Sequence, residues 1–107
     1  MSQPVYLLVI GKGWTEAWYQ LSEEEKDNLW SKVSDVDKRA GRKLVIGCHS
    51  RWADEEIFDW AVMEYPNMDA YQKKVKELEE LGWWRYFSAK TILGTKMEDT
   101  RLSSADE

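Results

Sequence analysis

One cysteine, one histidine and two prolines are all that this 107-residue chain holds of those residue types. The lone Cys48 excludes an internal disulfide and any metal centre built from cysteine pairs, and it fits a reducing compartment. With His49 as the sole histidine, carboxylates would have to complete a metal site, so no metal is expected. No cluster of lysine or arginine interrupts a formal net charge of -5, which argues against nucleic acid or an acidic membrane surface as partner. Long apolar runs are missing as well: the longest, Val5 to Ile10, is far too short to cross a bilayer. Nor does a basic leader with an apolar stretch stand at the N-terminus, so the expected setting is the cytoplasm.

Tryptophan, in contrast, is abundant. Seven such rings exceed what short helices and strands need for packing, so they either line a pocket or fill a core and a subunit interface, where aromatic rings are enriched. Apolar residues at 43% and charged ones at 33% make an ordinary globular balance. The length suits one domain, expected over residues 1–97. Residues 98–107 offer little to bury and are expected to form a mobile tail.

The run Val5 to Ile10 is β-branched and aromatic, the pattern of a central strand covered on both faces. Gly11-Lys12-Gly13 lacks the full pattern of a phosphate-binding loop and is expected to be a turn, followed by an aromatic connection from Trp14 to Leu21. Ser22 and Glu25 have the spacing of a capping box. The helix it opens carries Leu29, Val33, Val36 and Ala40 on one face and stops at Gly41. A hairpin follows, Leu44 to His49 and Ile57 to Tyr65, joined by the acidic stretch Ala53 to Glu56. Pro66 ends the ladder and Asn67 caps a second helix with the stripe Met68, Tyr71, Val75 and Leu78, closed by Gly82. Its polar side, Gln72-Lys73-Lys74 with Glu77, Glu79 and Glu80, is expected to face water. Trp83 to Leu93 supplies the last strand.

The order strand, helix, strand, strand, helix, strand predicts an α+β, ferredoxin-like fold. It is a four-stranded antiparallel sheet with two helices on one face. If Trp52 lies opposite Ile57 in the hairpin, then Leu44, Ile46, Cys48, Ala61, Met63 and Tyr65 face the helices. Val45, Gly47, His49, Arg51, Phe58, Trp60, Val62 and Glu64 then share the other face, and a slip of one residue exchanges the two sets. So mixed a surface suits a cavity or an interface better than open water, and a homodimer is expected to shelter it.

With this order of elements, and with the strand-to-helix phrase Val62-Met63-Glu64-Tyr65-Pro66-Asn67-Met68-Asp69-Ala70-Tyr71, the chain resembles the dimeric α+β barrel superfamily over roughly residues 4 to 97. That superfamily includes antibiotic-biosynthesis monooxygenase-like proteins, muconolactone isomerase-like proteins and small polyketide cyclases. The resemblance implies two subunits packed sheet against sheet around a small-molecule ligand. It transfers no catalytic residue.

Among the residues themselves, His49 is of the one type whose unperturbed pKa lies near neutrality and is the candidate acid or base, with a packed strand histidine as the alternative. Arg51, two residues on, either holds a substrate anion beside it or pairs with Asp54 or Glu55 at the surface. Asp59 and Glu64 are charges inside a strand; Glu64 is the pocket candidate, a bridge to Lys43 or Lys90 being its alternative. Trp60, Tyr6 and Tyr86 are candidate substrate-binding residues, and Ser88 and Lys90 further donors. Trp14 and Trp18 serve either as a lid or as staples for the connection. The expected function is small-molecule binding by a dimeric barrel. It is that of a cofactor-independent oxygenase, isomerase or cyclase on a small aromatic or polyketide-like substrate, or of a non-catalytic sensing barrel. No cofactor is expected: haem through one histidine has weak support, and RNA binding ranks last because the usual basic-glycine-aromatic motif is absent.

Overall fold

The computed structural model describes residues 3–97; the tail expected over 98–107 lies outside the described residues. The elements are β1 (Val5–Trp14), α1 (Glu16–Tyr19), α2 (Glu23–Ala40), β2 (Lys43–His49), β3 (Asp59–Tyr65), α3 (Met68–Leu81) and β4 (Phe87–Gly94), with a single 3-10 turn at Trp83–Arg85. The strands form one antiparallel sheet in the order β2-β3-β1-β4, so β1 is central as its unbroken apolar run requires. This is the α+β, ferredoxin-like arrangement.

Local signals set the helix ends. Ser22 Oγ accepts from the Glu25 N–H at 3.1 Å while the Glu25 carboxylate accepts from the Ser22 N–H at 2.9 Å, closing the capping box. Asn67 Oδ1 accepts from the Ala70 N–H at 2.8 Å at the start of α3. Gly41 and Gly82 end the two long helices in the left-handed region, at φ 79° and 71°.

Both long helices pack on the face that carries Val5, Leu7 and Val9 of β1 with Met63 and Tyr65 of β3. The core there has two parts. Val5, Leu7 and Tyr65 meet Ala40 and Tyr71 at one end, and Val33, Val36, Leu78 and Trp83 meet Trp14, Leu29 and Phe87 at the other. Between them the sheet contributes short side chains, Ala61 from β3 with Ala89 and Thr91 from β4, which do not fill the space under the helices.

Three expectations need correction. Gly11-Lys12-Gly13 is no turn: β1 runs through it to Trp14, with an irregularity against β4 between Gly11 and Gly13. Trp83–Arg85 is a 3-10 turn that seats Trp83 in the core, so the last strand begins at Phe87. The hairpin pairs His49 with Asp59, one residue away from the expected register, because the Ser50 and Arg51 N–H groups both bond the Phe58 carbonyl and shorten the ladder. A second irregularity between Leu44 and Ile46 returns Leu44 to the helix face opposite Met63. Ile46 and Cys48 therefore lie on the open face with Val62 and Trp60, while Gly47 and His49 turn to the helix side.

Candidate functional site

The short floor residues leave a cavity of about 180 Å³ between the sheet and the two long helices. Its walls are mainly apolar and aromatic: Leu7, Val9, Ala61 and Met63 below, with Trp14, Trp83 and Phe87 at one end. Those rings belong to a cluster in which Trp14 stacks on Trp18 at 4.0 Å between centroids and meets Phe87 edge-on at 4.9 Å. A larger depression between the outer faces of α2 and α3 is wide open and rimmed by Lys32, Asp35, Arg39 and Glu77, which makes it a solvated groove.

Charged groups stand at the two ends of the cavity. At the aromatic end is Asp59, half-buried, whose carboxyl is pushed above its ordinary range by desolvation while the facing His49 pulls it back. Gly11 makes room for this carboxylate: a Cβ there would collide with Asp59 Oδ1 and with the Phe87 ring. His49 is exposed on the opposite strand, so Asp59 stands between the cavity and an imidazole in contact with water.

At the other end, about 20 Å along β3 at about 3.3 Å per residue, sits a buried polar cluster. The Tyr65 hydroxyl donates to Asp37 Oδ1 at 2.9 Å, Lys74 Nζ lies 3.5 Å from the same oxygen, and Arg42 Nη1 is 3.8 Å from Oδ2. Asp37 and Lys74 are each only 8% exposed. Burial pulls the Lys74 ammonium below its ordinary value against the opposing pull of Asp37, and burial also raises the Tyr65 and Tyr71 phenols. Lys74 further sits over the Tyr65 and Tyr71 rings, 4.9 and 5.7 Å from their centroids. Lys74 thus departs from the solvated face expected for it.

The residues singled out in the sequence do not converge on one site. Trp14 lines the cavity and His49 backs its acidic end. Tyr6, Trp60 and Glu64 share the open face of the sheet, with Tyr6 directly opposite Glu64. Arg51 does not join His49 around an anion. Its guanidinium donates to the carbonyls of Glu55 at 2.8 Å and Lys12 at 3.3 Å and lies over Phe58, tying the hairpin loop to β1. Tyr86 stands apart in a surface groove with Leu21, Glu25 and Leu29. Asp37, Arg42 and Lys74 are not among the candidate site residues of the sequence, yet two of them carry a legible signal. Asp37 lies four residues after Val33, and Lys74 lies three after Tyr71 and four before Leu78, so each puts a charge into an apolar stripe. Among the described residues no group of three or more histidine, cysteine or carboxylate side chains is placed to hold a metal, and no helix is long and apolar enough to cross a membrane.

No protein-family model matches the sequence, and no characterised protein matches it by sequence. Solved structures do match. A protein of unknown function from Rhodopseudomonas palustris is 14% identical, with 92% of this chain and 85% of that chain covered at a TM-score of 0.64. Chlorite dismutase from Candidatus Nitrospira defluvii is 19% identical, with 100% of this chain but 46% of that chain covered at a TM-score of 0.66. At such identities the likeness is one of fold, the ferredoxin-like α+β arrangement.

Proposed function

We propose that this chain binds a small aromatic molecule in the cavity between sheet and helices and moves a proton on it through Asp59, with His49 relaying the proton to water. The observation that carries this is a carboxyl of raised pKa set in the wall of a mainly apolar, aromatic-lined cavity, at the end away from its other charged groups, the combination expected of a general acid or base. Proton removal from an activated C–H or O–H is the step that isomerases, cyclases and cofactor-independent oxygenases share, and it needs no bound group beyond these side chains. The cavity size narrows the substrate: about 180 Å³ is close to the volume of about 150 Å³ that accepts one benzene ring. That favours a single-ring molecule over a polycyclic one.

The open face of the sheet carries Leu8, Ile10, Trp60, Val62 and Ile92, with Ile92 48% exposed. We assign this face to a second copy of the chain, as the fold's sheet-to-sheet packing implies. The partner would then close the outside of the sheet while the ligand lies on its inner side.

Calorimetric titration with single-ring aromatic acids, with product followed separately by mass spectrometry, tests the proposal. Heat and product are expected for the parent, heat without product for Asp59→Asn, and neither for Ala61→Leu, which fills the cavity floor. Heat without product across the panel in the parent would favour a non-catalytic binding barrel, and absence of heat would remove the cavity as the ligand site.

A further inference from the structure

Resting on the cavity as the ligand site, we infer that its ligand carries an anionic arm, a carboxylate or acidic enol, which Arg42 binds at the end opposite Asp59. The inference comes from the charge balance of the buried cluster. Two cations, Arg42 and Lys74, face the single carboxylate of Asp37, and the phenols of Tyr65 and Tyr71, which stand beside it, stay neutral. One positive charge is therefore left over in that part of the cavity wall, whose only other charged lining residue among the described residues is Asp59 at the far end. A wall of this kind favours an anion close by and disfavours a cation.

Within the cluster the two cations are not equivalent. Lys74 is the closer to Asp37, at 3.5 Å, and is packed over two rings. Arg42 makes the longer contact, 3.8 Å through Nη1, and its side chain is 36% exposed. A guanidinium has five N–H donors in a planar fork, so one long contact leaves most of them to meet a carboxylate side by side. Asp37 holds the position of that fork; Arg42 supplies the binding. With the anion fixed there, the aromatic body of the ligand extends over Met63 and Ala61 in the direction of Trp83 and Phe87. The class of ligand is thus a single aromatic ring with a short acidic arm.

The test compares phenylpropionate with the uncharged phenylpropanol by quenching of tryptophan fluorescence in the full chain, for the parent and for Arg42→Gln. Charge-assisted hydrogen bonds make the acid bind about tenfold to hundredfold tighter than the alcohol in the parent. In Arg42→Gln that preference falls below about threefold while alcohol binding is unchanged. Equal binding of acid and alcohol by the parent, or a preference that survives Arg42→Gln, overturns the anionic arm and leaves the cavity standing. Failure of both compounds to bind the parent overturns the cavity as ligand site, and the arm with it. A Lys74→Met variant checked by thermal unfolding adds a second reading: if it folds, the acid's advantage shrinks there too, because Asp37 then balances Arg42 and no positive charge is left over.

Discussion

Replacing Asp37 by asparagine keeps the shape of the side chain and removes only its charge, which makes Asp37→Asn a direct probe of the buried cluster. Breaking a buried pair by deleting one partner costs about 3–5 kcal/mol when the other charge is left stranded. Two features lower that figure. The contacts to Lys74 and Arg42 are long, at 3.5 and 3.8 Å, and Lys74 keeps the faces of Tyr65 and Tyr71. Asparagine can also still accept from the Tyr65 hydroxyl. The expected loss is about 2–3 kcal/mol at neutral pH, a drop in Tm of about 8–20 °C for a chain of this size. Urea unfolding at 25 °C and a thermal scan measure both.

The same variant carries a pH signature. Lys74 is already depressed in the folded state, so the folded chain binds fewer protons than the unfolded one, and stability rises with pH as the unfolded lysine approaches its own titration. Without Asp37 the depression deepens, so the deficit of Asp37→Asn narrows as pH rises above neutrality, until Lys74 has lost its proton in the folded parent as well. Above that the raised phenols of Tyr65 and Tyr71 add a term of opposite sign. The double variant Asp37→Leu with Lys74→Met, which makes the pair apolar, recovers part of the loss, the remainder being the buried Tyr65 hydroxyl left without its acceptor. A deficit under about 0.5 kcal/mol, or one that does not change with pH, would refute the reasoning.

Asp59→Asn should act in the opposite direction. The Asp59 carboxyl is raised by desolvation, so its charged form costs stability once pH exceeds the folded pKa, and the asparagine variant gains up to about 1 kcal/mol at pH 7, discounted for partial exposure. That gain vanishes below about pH 3, where the carboxyl is protonated in both states, and paired denaturant curves at the two pH values check it. Gly11→Ala forces a methyl group against the Asp59 carboxylate and the Phe87 ring and should lose about 1–3 kcal/mol in denaturant unfolding. Sedimentation of the parent should show a dimer, and Ile92→Glu on the open face of the sheet a monomer; a parent that stays monomeric at high concentration would remove the assigned interface.

Much of the fold was legible because local chemistry and periodicity agreed. Ser22 with Glu25, Gly41, Asn67 and Gly82 mark helix ends through hydrogen bonds and backbone geometry that few other residues provide. The alternation along β3 placed Ala61, Met63 and Tyr65 on the helix face and Trp60, Val62 and Glu64 on the other, as found. The site was far less legible. Strand periodicity assigns a face only once the register is known, and the register of β2 depends on how the loop at Ser50 to Phe58 closes. That single step turned His49 from the company of Trp60 to that of Asp59. The irregularity beside Leu44 has no signature in side-chain type, and neither does a cavity: Ala61, Ala89 and Thr91 become its floor only because the strand order aligns them beneath the helices.

Methyl-resolved NMR during a titration with phenylpropionate distinguishes the inner and outer sides of the sheet directly. If the ligand lies between sheet and helices, the methyl signals of Ala61, Met63 and Ala89 shift while those of Leu8, Val62 and Ile92 stay in place. Shifts confined to Leu8, Val62 and Ile92 would put the ligand on the open face and contradict the assignment of the site.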